Sequence, residues 1–186
     1  MNSPNGGDRS ESSSAARPAV LIVDDTIANQ RAFESVLETE GYEIVLAGSG
    51  QEALKLVLKK EFAVILLDVR MPGMDGIETA TFLRCGRARF TPIIFVSAYE
   101  NTPVEVERGY LAGAIDYLFS PVDPDMLRRK VGALVDFYQR TVEYKKKSDV
   151  LFHTVKILQQ KVADLEQTVT VLQRQDNPRI DVPAAP

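Results

Sequence analysis

Cysteine and histidine are almost absent from this sequence, which limits disulfide bonding, histidine-dependent catalysis and zinc binding. Cys85 is the only cysteine among 186 residues, so no disulfide can form within the chain, and a reducing compartment is expected. His153 is the only histidine, so any Cys–His or Ser–His catalytic pair would have to use it. The sequence also has no zinc-type cluster of ligands and no Gly-rich phosphate-binding loop.

Long apolar runs are missing as well. No run approaches the roughly 20 residues that a membrane-spanning helix needs, and the N-terminus lacks the apolar core of a signal peptide. The formal net charge is −4, which gives no electrostatic basis for binding nucleic acid or an anionic membrane. We therefore expect a soluble cytoplasmic protein with neither a nucleic-acid partner nor a membrane partner.

Composition and patterning divide the chain into four segments. Residues 1–17 are rich in Ser, Gly and Asn, and residues 176–186 combine three prolines with little apolar bulk, so both are expected to be disordered tails. Residues 18–137 carry alternating strand and helix patterns and predict a folded domain. The last helical pattern continues to about residue 175, which is too long for one small domain, so residues 138–175 predict a helical extension.

Within the predicted domain, five short apolar segments alternate with helical patterns. This alternation predicts a parallel sheet covered by helices. Thr26 is predicted to cap the first helix, and Ser49 the second, with Glu52 completing a capping box. The predicted core faces of these two helices are Ala32, Phe33, Val36 and Leu37, and Ala53, Leu54, Val57 and Leu58.

Two of the predicted strands end in carboxylates. The apolar segment 19–23 runs into Asp24 and Asp25, and the apolar segment 64–67 runs into Asp68. If these strands are neighbours in a parallel sheet, the three carboxylates meet at its carboxyl edge, where open α/β folds place their sites. Such a cluster repels itself unless a cation neutralises it, and an all-oxygen ligand set suits Mg²⁺.

The order and spacing of these motifs resemble the receiver domain of two-component response regulators. The resemblance covers roughly residues 18–137 and is carried by Asp24-Asp25, by Asp68 followed by the sequence MPGMDG at 71–76, and by Ser97-Ala98. It implies a flavodoxin-like α/β fold with strand order 2-1-3-4-5 and helices on both faces.

The resemblance also implies roles for the acidic residues. Asp68 would be the acceptor of a phosphoryl group from a histidine kinase or a phosphotransfer protein, held as an acyl phosphate. Asp25, Asp68 and the backbone carbonyl of Arg70 would bind Mg²⁺, and Asp24 would help through a water molecule. The protein would then be a phosphoacceptor signalling domain, not an enzyme.

Three further positions follow from the same resemblance. Ser97 would hydrogen-bond a phosphoryl oxygen, and Tyr117 aligns with the aromatic residue whose rotation reports the resulting movement. Ser120 stands where the family expects a lysine, and a serine supplies a hydroxyl but no charge. This substitution predicts phosphorylation that is slower, shorter-lived or poorly coupled to a structural change.

The second half of the long helical pattern is a heptad repeat. Valines fall at position a and leucines at position d, a combination that favours two parallel strands, in the series Leu151, Val155, Leu158, Val162, Leu165, Val169, Leu172. Lys161 at g can pair with Glu166 at e of a second copy. We predict a parallel homodimer, with a discontinuity or hinge at residues 145–149.

Two other interpretations stay open at this point. Because Ser120 replaces the expected lysine, the domain could be a scaffold that never uses a phosphoryl group. Alternatively, the chain could be the regulatory front end of a larger signalling enzyme, such as a kinase, a phosphatase or a cyclic-dinucleotide enzyme. The sequence does not identify the downstream protein partner.

Overall fold

The computed structural model describes residues 17–98 and 103–175 of the chain. The two predicted tails, 1–17 and 176–186, lie outside the described residues apart from Arg17. Strands and helices alternate as the sequence predicted, in the order β1 Ala19–Val23, α1 Ile27–Glu38, β2 Glu43–Ala47, α2 Gly50–Lys59, β3 Val64–Asp68, α3 Gly76–Cys85, β4 Ile93–Ala98, α4 Pro103–Leu111, β5 Asp116–Ser120 and α5 Pro124–Gln175.

The five strands form one sheet in the order β2-β1-β3-β4-β5, and all neighbouring pairs are parallel. This confirms the order that the family resemblance implied. Val23 of β1 lies opposite Leu67 of β3, and Asp68 lies opposite Val96 of β4. The carboxyl ends of the three central strands therefore meet at the same edge of the sheet.

Helices cover both faces of the sheet, which explains why β1 and β3 are apolar along almost their whole length. One core cluster packs the sheet against α2 and α3, through residues such as Ala53, Val57, Ala80 and Leu83. The other packs it against α1 and α5, through Phe33, Leu37, Leu127, Val131 and Val135. The central strands β1 and β3 are thus buried on both faces, which leaves their carboxyl ends as the place where a site can form.

Two of the predicted core positions are wrong. Ala32 and Leu58 are exposed, whereas their neighbours Phe33 and Val57 are buried. A step of one residue turns an α-helix by about 100°, so an apolar residue beside the buried stripe can face solvent.

The predicted helix caps are only partly confirmed. Ser49 accepts a hydrogen bond from the Glu52 N–H at 3.3 Å, as expected, but the Glu52 carboxylate accepts from the Gly48 N–H at 2.8 Å. Thr26 occupies the cap position of α1, yet its side chain makes no capping hydrogen bond. Its backbone N–H donates instead to the Asp24 carboxylate at 2.8 Å, so this turn serves the site.

Helix α5 runs for 52 residues, from Pro124 to Gln175. The chain divides into two compact units, and the division falls after Gln139 within this helix. The predicted discontinuity at residues 145–149 does not break the helix, which continues through them. At residues 145–149 the apolar stripe is interrupted, but the helical backbone is not.

In the second unit, the heptad residues of α5 are exposed. The side chains at positions a and d, from Leu151 to Leu172, are between 43% and 65% accessible in the single chain. Among the described residues, no helix combines the length and the apolar character that crossing a membrane requires.

Candidate functional site

Three carboxylates converge at the carboxyl edge of the sheet, as the sequence predicted. Asp24 and Asp25 follow β1, and Asp68 is the last residue of β3. Because β1 and β3 are neighbours in register, one carboxylate oxygen from each residue lies within 4.8 Å of the others. The sheet topology thus assembles an all-oxygen cluster from two distant parts of the sequence.

The three carboxylates differ in their exposure to solvent. Asp24 is buried at 2% exposure, Asp68 is partly buried and Asp25 is exposed. The pKa of Asp68 is raised to about 6, chiefly by burial and in smaller part by the negative charges of Asp24 and Asp25, which together outweigh the hydrogen bonds from the Arg70 and Val69 N–H groups. Crowded negative charge is therefore a property of the site itself.

Asp24 is held in a fixed orientation by the first turn of α1. Asn29 Nδ2 donates to Asp24 Oδ1 at 3.2 Å and to Oδ2 at 3.0 Å, and the Thr26 N–H donates to Oδ1 at 2.8 Å. Burial raises the pKa of Asp24, while these hydrogen bonds act in the opposite direction. These hydrogen bonds stabilise a buried carboxylate whose removal from water would otherwise be energetically unfavourable.

Sequence reasoning did not single out Asn29 or Gln30. The Gln30 side chain is buried, and its Nε2 donates to the carbonyl oxygens of Asp24 at 2.6 Å and Ala47 at 3.0 Å. The signal was present, because Gln30 lies on the same face of α1 as the buried Phe33. A polar residue within the apolar stripe of a helix, about one turn after an acidic strand end, indicates a side chain that hydrogen-bonds to the backbone beside the carboxylates.

The turn after β3 folds back on the strand because Gly76 has no side chain. A Cβ at Gly76 would lie 2.1 Å from the Asp68 carbonyl oxygen. The Gly76 N–H donates to the Val69 carbonyl at 3.0 Å, and the Val69 N–H donates to the Val96 carbonyl at 3.0 Å. The glycine that follows Asp75 thus allows the chain to approach the backbone of Asp68 and Val69 closely.

Ser97 and Ser120 lie at the same edge of the sheet as the carboxylates. Ser97 is buried at 2% exposure and follows Val96, the residue opposite Asp68. Ser120 ends β5 opposite Ala98, is exposed, and precedes Pro121 through a cis peptide bond. Ser97 is on the strand next to β3, whereas Ser120 is one strand farther away.

Tyr117 is buried beneath α4. Its hydroxyl donates towards the carbonyl oxygens of Val106 at 3.3 Å and Glu105 at 3.5 Å, and burial raises the pKa of this phenol. The ring packs edge-on to Tyr110 at 5.2 Å and stacks on Phe119 at 5.8 Å between centroids. Tyr117 therefore joins the core to an exposed aromatic surface.

Arg70 contributes to the site in two ways. Its backbone N–H donates to Asp68 Oδ1 at 3.2 Å. Its guanidinium lies 3.8 Å from the Glu105 carboxylate of α4, an ion pair between partly exposed side chains. The side-chain charge of Arg70 is thus already balanced in part by Glu105.

The donor set suits a hard divalent cation. The three clustered ligands are carboxylate oxygens, and Mg²⁺ favours such ligands over nitrogen or sulfur. A cation there would also offset the mutual repulsion that helps to raise the pKa of Asp68. The residues present therefore fit Mg²⁺, which receiver domains typically bind through acidic residues.

The comparisons with known proteins agree with this architecture. The family model of the response regulator receiver domain matches residues 20–132. The transcriptional regulatory protein SrrA of Staphylococcus aureus is 41% identical over 122 residues, which are 66% of this chain and 49% of SrrA. This chain therefore spans about half the length of the curated relatives that it matches.

Solved structures give the same result. The chemotaxis protein CheY4 of Vibrio cholerae is 34% identical, with a TM-score of 0.60 over 64% of this chain and 99% of CheY4. The receiver domain of the Francisella response regulator 1452 is also 34% identical, with a TM-score of 0.59 over 67% of this chain and 99% of that domain. The sheet order, the acidic edge and the family match together show that this chain belongs to the response regulator receiver domain family of two-component systems.

Proposed function

We propose that the protein accepts a phosphoryl group on Asp68 from a histidine kinase or a phosphotransfer protein. The observation that carries the proposal is the convergence of Asp24, Asp25 and Asp68 within 4.8 Å. With a pKa of about 6, Asp68 is mostly ionised at neutral pH, as a nucleophile must be. The Arg70 N–H donates to Asp68 Oδ1, and the Gly76 N–H donates to the carbonyl of the next residue, Val69, so the backbone around this carboxylate is fixed.

The transfer is a displacement at phosphorus. An oxygen of Asp68 forms a bond to the phosphorus of a phosphohistidine as the P–N bond breaks, and the bonding electron pair leaves with the imidazole, which then takes up a proton. Hydrolysis reverses the modification, because water attacks the phosphorus and inorganic phosphate leaves as the carboxylate re-forms. Such chemistry depends mainly on positioning and charge neutralisation.

The residues around Asp68 have distinct roles in this proposal. Asp25, Asp68 and the Arg70 carbonyl would hold Mg²⁺, with Asp24 acting through water, and the ion supplies neutralisation of the phosphoryl charge. Ser97, buried on the adjacent strand, donates its hydroxyl to a phosphoryl oxygen. Tyr117 responds to the resulting movement through its contacts with α4.

The output in this proposal passes through a homodimer. The described residues support it through the exposed stripe of valines at a and leucines at d on α5, which a second parallel copy would cover. We propose the same division as the sequence indicated, with a receiver at 18–137, a signalling helix and coiled coil at 138–175, and tails at 1–17 and 176–186. The downstream partner is a protein that reads the arrangement of the dimer.

A second function is favoured by one observation. Ser120 offers no cation at the end of β5, so the domain could act as a scaffold that does not depend on phosphorylation. The domain could also be the regulatory front end of a larger signalling enzyme, with the long helix α5 transmitting the signal. Both alternatives keep the fold and differ in whether Asp68 is modified.

Labelling with a small phosphodonor tests the proposal. The protein is incubated with acetyl phosphate and Mg²⁺, and intact mass spectrometry measures the phosphorylated fraction. Asp68→Asn should abolish labelling, and Asp25→Ala or removal of Mg²⁺ by EDTA should reduce it. Asp75→Asn is a matched control, because Asp75 lies in the same turn but caps α3 by accepting from the Glu78 N–H at 2.7 Å.

The possible results separate the two functions. Labelling that depends on Asp68 and Mg²⁺ supports the phosphoacceptor. Persistent labelling of Asp68→Asn would show that the acceptor is another residue. An unlabelled wild-type protein that still binds its partner would favour the scaffold.

A further inference from the structure

The apolar spacing of the coiled coil extends towards the receiver beyond the heptads that the sequence first suggested. Tyr144 stands seven residues before Leu151 and therefore occupies position d. Ser148 and Thr141 stand at the preceding a positions. Helix α5 is uninterrupted here, and Tyr144 is 72% exposed in the single chain. The same face of the helix thus continues, with an aromatic layer between two polar ones.

The charged residues beside this face would attract each other at one end of the helix and repel each other at the other end. In a parallel dimer, a residue at g faces the residue at e five positions later in the second copy. Lys161 then faces Glu166, an attractive pair, whereas Arg140 faces Lys145, a repulsive pair. The repulsion occurs twice in each dimer because both copies contribute it.

Neighbouring acids do not remove this repulsion. Lys147, at the next g position, pairs with Glu143 of its own chain at 2.7 Å. Within the part of the chain that the structure describes, no acidic side chain forms an ion pair with Arg140 or Lys145. The structure thus pairs neither of the like charges at g and e with an acid among the described residues.

We propose that residues 140–148, here called the proximal segment, pair with the same segment of a second copy, and that the Arg140–Lys145 repulsion opposes this pairing. The inference rests on the proposed homodimer and adds to it a segment whose closure depends on neutralising anions or salt. Residues 151–172, here called the distal zipper, hold the two copies together while the proximal segment opens and closes.

The polar layers explain why a second copy fits this segment and why it opens first. Serine and threonine at a are small enough to meet across a parallel dimer, and polar residues at a fix the register at a cost in stability. With only Tyr144 as an apolar d residue, the proximal segment gains less from burial than the distal zipper. Salt shortens the range of the opposing repulsion, since the Debye length falls from about 30 Å at 0.01 M to about 3 Å at 1 M.

Disulfide cross-linking between copies tests the proposal on the full chain. Cys85 is exposed and is first replaced by Ser, and single cysteines are then introduced as Ser148→Cys, Val162→Cys and Lys146→Cys. Positions 148 and 162 are both a positions, whereas 146 is at f, on the outside of the dimer. Circular dichroism checks that each variant keeps its helix content, and non-reducing electrophoresis after mild oxidation measures the covalent dimer.

The expected pattern is specific to this arrangement. Val162→Cys should cross-link at every ionic strength, and Lys146→Cys should cross-link poorly throughout. Ser148→Cys should rise about two- to fivefold from low to high salt, the range expected when two exposed like-charge pairs are screened. Adding Lys145→Glu to Ser148→Cys makes the facing pair attractive, so cross-linking at low salt should reach the high-salt level.

Each contrary result has a separate meaning. Failure of Val162→Cys to cross-link would overturn the proposed parallel dimer itself. Efficient cross-linking at 162 with none above the Lys146→Cys level at 148 would leave the dimer intact and overturn the proximal segment. If the yield of cross-linked dimer at position 148 changes neither with salt nor with Lys145→Glu, the like-charge pair has no role in opening the segment.

Discussion

The Tyr117 hydroxyl occupies the space where a side chain at Gly109 would begin. A Cβ built on Gly109 would lie 1.6 Å from Tyr117 Oη and 2.7 Å from Cζ. Gly109 is buried in α4, four residues after Glu105, whose carbonyl faces the same hydroxyl. The buried position of Tyr117 beneath α4 therefore requires a glycine at 109.

We expect Gly109→Ala to destabilise the receiver by about 1–3 kcal/mol, as overpacking of a well-packed core does. Gly132→Ala is the matched control, because Gly132 is also helical and its Cβ would meet only the Tyr42 hydroxyl at 3.5 Å. That control should gain about 0.5–1 kcal/mol from helix propensity. Urea denaturation of both variants measures the difference.

Displacement of Tyr117 can be measured directly. Nitration with tetranitromethane followed by peptide mapping reports which tyrosines are accessible, and Tyr117 is only 5% exposed in the wild-type protein. Gly109→Ala should increase nitration of Tyr117, and Gly109→Ala combined with Tyr117→Leu should regain most of the lost stability. Unchanged nitration and stability in Gly109→Ala would contradict the steric contact.

We expect Ser120→Lys to strengthen the response to phosphorylation without harming the fold. Ser120 is exposed at the end of β5, so the substitution should change the free energy of unfolding by less than about 0.5 kcal/mol. An ammonium near the phosphoryl group would add a charge-assisted contact. The phosphorylated fraction and its lifetime, measured by mass spectrometry, should both rise.

Ser120→Gln separates charge from side-chain length in this test, because glutamine is long but neutral. It should behave like the wild-type protein. If all three proteins have equal labelling rates, lifetimes and phosphorylation-dependent spectra, a cation at position 120 has no influence here.

The pKa of Asp68 predicts a pH dependence of stability in EDTA. Because folding raises this pKa from 3.8 to about 6, its contribution favours the folded state below pH about 4 and is lost as the pH rises through about 6. Asp68→Asn removes the ionised carboxylate. The variant should therefore be more stable than the wild-type protein at pH 8, by about 1–2 kcal/mol after allowance for solvent screening.

Urea titrations at fixed protein concentration, from pH 4.5 to pH 8, follow this difference. It should shrink as the pH falls, because the wild-type carboxyl becomes protonated. Asp149→Asn, on the exposed surface of α5, is the control for loss of a carboxylate far along the sequence from the cluster. A difference between Asp68→Asn and wild type that stays constant with pH would contradict the raised pKa.

Replacing Leu158 and Leu165 with Ala should dissociate the proposed dimer. Both are d positions that are more than half exposed in the single chain, and burial in a coiled coil would make each truncation cost about 2–5 kcal/mol. Analytical ultracentrifugation at micromolar concentration should then show a monomer, while circular dichroism shows a folded receiver.

The control uses two apolar residues of α5 that lie outside positions a and d. Ile157→Ala with Val171→Ala removes comparable exposed side chains at position c, and this variant should remain a dimer. A dimer that survives loss of both leucines would place the interface elsewhere, and α4 with the edge at β5 is the next surface to test.

The sequence pattern was sufficient to predict the order of the elements and the acidic ends of two strands, whereas the convergence of the three carboxylates also needed the strand order. Apolar strands that end in Asp24-Asp25 and Asp68 indicate both the buried sheet and its acidic edge, because the same short segments carry both signals. The departure at Ser120 was also visible, since it depends only on residue identity. The strand order itself came from the family resemblance and is confirmed.

The tertiary structure alone decided the contacts that join distant segments. Gly109 and Tyr117 lie on different elements, and nothing in the sequence indicates that a hydroxyl fills the space of the missing Cβ. The supporting hydrogen bonds of Gln30, which link Asp24 to Ala47, likewise depend on β2 lying beside β1. Local patterns predict which residues face the core, but the distances between neighbouring side chains arise only when the elements pack.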